Sequence, residues 1–347
     1  MWHGIIGHDE IVEKFRLALK RGRLASSFLF AGPSGIGKRS FTIKLAQGLL
    51  CQNHSEEELD PCEKCPSCVQ VIAQTHPDFQ LIGKPDDKSF IPLELLIGDK
   101  EHRRREGLCH HIALKPFMGG RKIAVIDDAD YLNAEGANAL LKTLEEPPPR
   151  SVLILIGTSA AKQLPTIRSR CQLIRFQPLD AGTMAQLLVE QGLVQDPEEA
   201  GRLARYSDGS MERAAQLADP ELWSFRNTLY GRLAAQTLDS VSLAQMTAKF
   251  VDEAGKEASL RRRRLHQVVG FATDFYRQLL RAQNHASMPH DIEFDGFIRQ
   301  ALEGQAMDID KTSARLDRCL EADQQIDRNA NQSTLIETWF DDLACIY

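Results

Sequence analysis

An α/β protein is what the sequence predicts, with a parallel sheet wound on a phosphate-binding loop in its first half and helices alone thereafter. Three observations lead there. "SFLFAGPSGIGKRSF" passes from an apolar run through a glycine loop into a helical pattern. "KIAVIDDAD" is a second apolar run that ends in acids. From about Pro178 onward every periodic stretch has helical spacing.

The elements follow in order. Ser27–Gly32 reads as a short buried strand ending in glycine, and Phe41, Leu45, Ala46, Leu49 and Leu50 then recur at the spacing of one helix face. Lys122–Ile126 is a second strand. Asn133 is placed to cap a helix carrying Ala137, Leu140, Leu141 and Leu144 on one stripe. Pro147, Pro148 and Pro149 end that helix, because proline lacks the N–H and clashes with the preceding turn. "SVLILIGTS" is apolar throughout and is predicted to be a central strand. After Pro178, "AGTMAQLLVEQGL" and "PEEAGRLARYSDGSMERAAQLA" predict a small helical module, with Asp208-Gly209 as a turn and Ser210 as a cap. The chain from about Ala218 to Tyr347 reads as helical and moderately polar.

Composition sets outer limits. A chain of 347 residues with 43% hydrophobic and 26% charged residues has ample material for cores in two or three domains. The net charge of −6 argues against general nucleic-acid binding and leaves only local patches. No run of about 18 apolar residues is present, so no membrane span is expected. The start "MWHGIIGHDE" lacks a basic segment leading into an apolar one, which points to a cytoplasmic protein without a secretion signal.

The loop meets the pattern G-x-x-x-x-G-K-[ST] at Gly32, Gly37 and Lys38, with Gly35 between, and then breaks it: Arg39 stands where a hydroxyl belongs. In such a loop the backbone N–H groups and the lysine hold phosphates, while the hydroxyl ligates Mg²⁺. Arginine has donors and no acceptor, so it is no metal ligand. Ser40 comes one position late, which on a helix turns it about 100° away. ATP or ADP is thus expected to bind weakly, with Mg²⁺ poorly held and turnover poor. Asp127 and Asp128 suit the acidic strand end that holds Mg²⁺ and activates water, although Asp128 is a methylene shorter than the usual glutamate. The plainer reading is a polar turn with Asp130 as a helix cap.

Four of the eight cysteines fall at Cys51, Cys62, Cys65 and Cys68. Four thiolates suit tetrahedral zinc and would fold an insertion, residues 51–68, too short to own a core. The C-x₂-C-x₂-C spacing also suits an iron–sulfur cluster, but the fourth cysteine and proline of that run are replaced by Ile72-Ala73. Free buried cysteines are the plain alternative, and His54 and His76 are alternate ligands. Thr158 or Ser159 lies level with the acidic pair. Arg170 stands at a domain edge, where a guanidinium can reach a neighbouring subunit's phosphates; a surface arginine is the default. "HRRRE" (His102–Glu106) and "RRRRLH" (Arg261–His266) read as solvated faces before DNA contacts.

"GPSGIGK", the four cysteines, "VIDDAD", "NALLKTLEEPP" and "SRC", in that order, together with the tail "EADQQIDRNANQSTLIETWFDDLA", resemble the bacterial clamp-loader AAA+ family of DNA polymerase III. The resemblance covers Gly4–Arg213 and the C-terminal region. It implies a RecA-like AAA+ domain at 1–178 with a structural zinc insertion, a helical lid at 179–218 and an all-α collar at 219–347. It further implies a hetero-pentamer with gamma/tau and delta subunits that loads a sliding clamp onto primer-template DNA, with no membrane involved. In that setting Arg170 would be a finger acting in trans, Thr158 a first phosphate sensor and Arg213, in "GSMERA", a second. One departure is Leu24-Ala25-Ser26-Ser27, where relatives carry a His-Ala pair. The rival readings are a gamma/tau-like ATPase motor, which would need a hydroxyl at 39 and a glutamate at 128, and a stand-alone AAA+ regulator of protein partners.

Overall fold

A computed structural model describes residues 2–103, 105–286, 292–303, 308–328 and 330–346. Arg104 of the first basic run and Asn329 of the "RNAN" tail segment lie outside the described residues. The chain divides into two compact units, Met1–Leu217 and Ala218–Tyr347.

The first unit opens with helix α1 (Asp9–Lys20), then strand β1 (Ser27–Ala31), α2 (Lys38–Leu50), α3 (Pro66–Ile72) and β2 (Phe79–Ile82). Short helices α4 (Leu93–Ile97) and α5 (Leu108–Ala113) lead to β3 (Lys122–Ile126), α6 (Ala134–Glu145), β4 (Ser151–Gly157), α7 (Pro165–Arg168) and β5 (Gln172–Arg175). The strands form one parallel sheet in the order β2-β3-β4-β1-β5. β4 lies at its centre, as its unbroken apolar run requires, since a strand covered on both faces has no polar side to present. Edge strand β2 was not legible in the sequence, because "FQLI" is four residues long, too short to show a period. Its register is secured instead by a buried pair: Lys122 Nζ lies 3.0 Å from Asp78 Oδ1, and Asp78 accepts the N–H groups of Phe117 and Met118 at 2.7 and 2.8 Å. Both side chains are buried, so the pair stands only because nearly every polar atom in it is satisfied.

Each face of the sheet has its own core. Phe28 and Phe30 of β1 turn to one face with Phe15 and Leu19 of α1 and Phe41 and Leu45 of α2. Leu29 turns to the other, with Leu140 and Leu144 of α6. Asn133 caps α6, its side chain accepting the Gly136 N–H at 2.8 Å. Three further helices complete the unit: α8 (Ala181–Glu190), α9 (Pro197–Tyr206) and α10 (Met211–Leu217). Asp208 and Gly209, at φ of 48° and 74°, turn the chain into α10, and Ser210 Oγ accepts the Arg213 N–H at 3.2 Å.

The second unit holds α11 (Pro220–Leu233), α12 (Ser240–Asp252), α13 (Ala258–Gln283), α14 (Ile292–Glu303), α15 (Ile309–Asp327) and α16 (Gln332–Cys345). Tyr276, Phe275, Trp339 and Phe340 fill its interior. Asn331, from the tail segment, caps α16 by accepting the Thr334 N–H at 3.1 Å. Within the run Arg261–Arg264 two guanidiniums serve the fold: Arg261 donates to Gly255 O at 2.7 Å, and Arg264 stacks on the Phe250 ring at 4.5 Å. The basic run is therefore in part structural.

His266 of α13 sits between two carboxylates of α15, with Nδ1 2.7 Å from Asp323 Oδ1 and Nε2 3.4 Å from Asp327 Oδ1. Burial disfavours its charge, but the hydrogen bonds that it donates to the two carboxylates outweigh that and raise its pKa to about 9. A raised pKa stabilises the fold fully below the unfolded value of 6.5, and the contribution is lost as pH rises through about 9. In denaturant titrations, wild type should therefore exceed His266→Gln in stability near neutral pH, and the gap should shrink steadily through that range.

Candidate nucleotide cleft and metal centre

Parallel strands leave a crevice beyond their C-terminal ends, and here a cleft of about 690 Å³ opens beyond β1, β3 and β4. Its lining includes Gly4, Ile5, Ile6 and His8, residues 34–40, Asp127, Asp128, Asp130, Thr158, Lys162 and Glu212. Its volume falls in the range of small-molecule and cofactor sites.

The loop between β1 and α2 needs glycine at Gly37, with φ of 91°, and has no room for a side chain at two further positions. A Cβ at Gly32 would lie 2.6 Å from Phe176 O. One at Gly35, which has φ of 72°, would lie 2.3 Å from Ser210 Oγ and 2.6 Å from Glu212 Cβ. The second crowding marks where α10 is pinned onto the loop: the Met211 N–H donates to Gly35 O at 3.0 Å, and Ser34 Oγ donates to Glu212 Oε2 at 3.2 Å. Lys38 is buried, its Nζ donating to Gly32 O at 2.6 Å and Pro33 O at 2.5 Å. Burial lowers its pKa, while the carboxylates of Asp127, Asp130 and Asp128 pull the other way.

Arg39 turns its Nη1 to within 3.3 Å of Asp127 Oδ2. A guanidinium thus pairs with the carboxylate that a divalent cation would use. Ser40 lines the cleft and is exposed. Asp128 adopts the left-handed conformation at φ of 56°, and burial followed by the neighbouring Asp127 carboxylate raises its pKa, with Lys84 and Arg39 opposing. Asp130 is not the cap that the plainer reading of the sequence offered. Its carboxylate accepts the Thr158 N–H at 2.8 Å, the Thr158 hydroxyl, and Gln163 Nε2 at 2.6 Å, tying the end of β4 to the end of β3. The Thr158 hydroxyl is therefore engaged by an acid, and Ser159 accepts the N–H of Ala161 in its own turn.

Two predicted arginines lie apart from this cleft's lining. Arg213 pairs with Asp208 at 3.1 Å, and the residues that α10 sends to the cleft are Met211 and Glu212. Arg170 follows α7 and is held by Glu145, the last residue of α6, at 2.7 Å and by Thr166 O at 3.0 Å. The sequence reading missed Gly4, Ile5, Ile6, His8, Lys162 and Glu212. The segment "GIIGH" has glycines but no periodicity; the hydrogen bond between His8 Nε2 and Ile36 O, at 3.0 Å, and the packing of the His8 ring on Phe176 bring it to the loop.

The sulfurs of Cys51, Cys62, Cys65 and Cys68 all lie within 4.8 Å of one another. A zinc tetrahedron with bonds of about 2.3 Å has S···S edges of roughly 3.8 Å, inside that span. The N–H of Cys65 points at Cys62 Sγ at 3.3 Å and that of Cys68 at Cys65 Sγ at 3.4 Å, the donors thiolates need. The backbone N–H groups of Lys64 and Cys65 lower the Cys62 pKa to about 6, whereas burial raises that of Cys68. His54 Nδ1 is bound to Asp60 and both nitrogens of His76 to Ser67 and Asp78, and neither histidine joins the four converging sulfurs. The residues present fit zinc. The module is fastened to the sheet unit by Trp2 Nε1 on Leu59 O at 3.0 Å and by Arg121 on Glu56 at 2.6 and 3.1 Å.

Sheet order, glycine loop and acidic strand end define a P-loop protein of the AAA+ type. A family model described as "DNA polymerase III, delta subunit" matches residues 7–180, half of the chain, and the chain belongs to that family. It is 32% identical over 195 residues to DNA polymerase III subunit delta prime of Bacillus subtilis, covering 56% of this chain and 54% of that protein. With the delta prime subunit of Pseudomonas aeruginosa it shares 32% over 198 residues, 57% of each chain. With the Escherichia coli tau subunit it shares 29% over 225 residues, 63% of this chain and 33% of the relative. The matches thus span about half the length of the delta prime relatives. Among solved structures, the Bacillus subtilis clamp loader delta protein superposes at a TM-score of 0.30 with 12% identity, covering 96% of this chain and 99% of the other. Scores of that size leave kinship to the sequence.

Elemental analysis of the purified chain should find about one zinc per molecule. Cys65→Ser, or a strong chelator, should release it and open residues 51–68 to protease while the sheet's circular dichroism persists, because the metal supplies the folding energy of this module and not of the sheet.

Proposed function

We propose that this chain is the delta prime subunit of a DNA polymerase III clamp loader, in which it acts as a stator. The observation that carries the reading is the ion pair of Arg39 with Asp127, which occupies the metal side of the chain's own P-loop. In P-loop ATPases Mg²⁺ neutralises the charge that develops on the transferred phosphoryl group. A chain whose metal hydroxyl and metal carboxylate are both lost to an arginine is suited to bind nucleotide and not to turn it over.

Arg170 supports the other half of the reading. It lies outside its own cleft, on an edge, with Glu145 holding one arm of the guanidinium and Thr166 O and Ser169 Oγ the other, so that the planar fork is fixed in direction. That geometry suits a finger offered to ATP held by an adjacent gamma/tau subunit, within a ring that also holds delta and places a sliding clamp on primer-template DNA. Thr158 and Arg213 would be relics of the sensors of an active site. Zinc would be resident in the cysteine module and purely structural. The protein would work in the cytoplasm; no described helix is long and apolar enough to cross a membrane.

In a reconstituted loader, Arg170→Ala should leave assembly intact and lower DNA-stimulated ATP hydrolysis. A finger is worth roughly 10³-fold or more in turnover, so the site it serves should fall silent while the others continue. An unchanged rate would refute the trans role. The isolated chain should show no turnover of Mg-ATP; hydrolysis that Lys38→Ala abolishes would point instead to a motor subunit.

A further inference from the structure

The metal side of the cleft does not fit a divalent cation, and we infer from that misfit which ligand it takes: a nucleoside diphosphate bound without magnesium. A P-loop site holds Mg²⁺ between the hydroxyl after the lysine and the acid at the strand end. Here position 39 offers only donors, and its Nη1 lies 3.3 Å from Asp127 Oδ2, on the carboxylate the ion would use. With Arg39 in place Mg²⁺ would have no hydroxyl at position 39, and it would compete with a tethered cation for Asp127.

The guanidinium is itself the cation of the site. One arm engages Asp127, and the remaining N–H groups of the planar fork can take phosphate oxygens two at a time, as arginine does and lysine does not. Lys38 and the loop N–H groups supply the rest of the phosphate grip, at the N-terminus of the 13-residue helix α2.

Charge then selects the length of the phosphate chain. Magnesium brings two charges and the guanidinium one, already shared with Asp127. A γ-phosphate would extend toward the strand-end acids, and Asp127, Asp128 and Glu212 all line the cleft. Like charges repel where water is partly excluded, and beyond Lys38 and Arg39 the lining offers these acids only Lys162 as a counter-charge. A diphosphate stops short of them. The inference rests on the proposed function only in taking this cleft as a nucleotide site; it needs nothing from Arg170.

Anisotropy titrations of the full-length chain with a fluorescent ADP analogue, at constant ionic strength, test this in EDTA and in excess Mg²⁺. Binding should be at least as tight in EDTA, and unlabelled ADP should compete better than ATP there. Arg39→Ser removes the guanidinium and restores the hydroxyl. Its affinity in EDTA should fall by about tenfold or more, the worth of one charge-assisted contact, and Mg²⁺ should now strengthen binding. Lys38→Ala should weaken binding in both conditions, and circular dichroism checks that each variant is folded. The inference is overturned if the wild type needs Mg²⁺ to bind, if ATP outcompetes ADP in EDTA, if Arg39→Ser binds unchanged in EDTA, or if Lys38→Ala leaves binding intact. Failure of the wild type to bind ADP in either condition would overturn it too, while leaving the finger reading to stand or fall on Arg170→Ala in the loader.

Discussion

Strand β4 is the ruler of the first unit. It pairs with β1 on one side and β3 on the other, setting Ala31 opposite Gly157 and Ile126 opposite Leu155. That double register brings three chain segments, far apart in sequence, to one rim: the glycine loop after Ala31, the acids after Ile126, and Thr158 after Gly157. Asp130 locks the rim by accepting from Thr158 and Gln163 across it. Glycine at 157 leaves that lock its room, since a Cβ would lie 2.6 Å from Asp130 Oδ1. A hydrophobic constraint, strands buried on both faces, thus fixes a polar arrangement at their ends.

Within that arrangement one substitution changes what the rim can do. A hydroxyl after Lys38 would look toward a metal; Arg39 reaches further and closes on Asp127. The pair is half-exposed and adds little to stability. Its consequence lies in chemistry, because a fixed monovalent cation stands in for an exchangeable divalent one. The same side of the molecule keeps a tightly built loop, with α10 hydrogen-bonded to Gly35 and Ser34. A P-loop scaffold is thus kept around a strand-end acid that an arginine engages.

Much of this was legible in the sequence, and the reasons are physical. β1, β3 and β4 are continuous apolar runs bounded by glycine or acid, and the residues 27, 122, 126 and 151 at their ends fall where those runs begin or stop. Asn133 was identifiable because a side-chain acceptor directly before an apolar stripe has one common use, and it caps α6. The cysteine cluster was legible because thiolates at that spacing in a short polar insertion have few alternatives, and the four sulfurs converge. Edge strand β2 and the segment Gly4 to His8 were not, since neither carries periodicity; what positions them are the buried Asp78–Lys122 pair and the His8 bond to Ile36.

Residue identity and local spacing by themselves determined the loop, the acidic strand end, the thiolate set and the change from sheet to helices, because each is a pattern of neighbours along the chain. Only the tertiary structure decided partnership: that Arg39 finds Asp127, that Asp130 serves Thr158 and caps nothing, that Glu145 holds Arg170, and that α10 sends Glu212 and not Arg213 to the cleft. Those choices depend on directions in which long side chains point across elements. A flexible charged side chain selects among several partners by distances of a few ångströms, and such distances exist only once the sheet has aligned its strand ends.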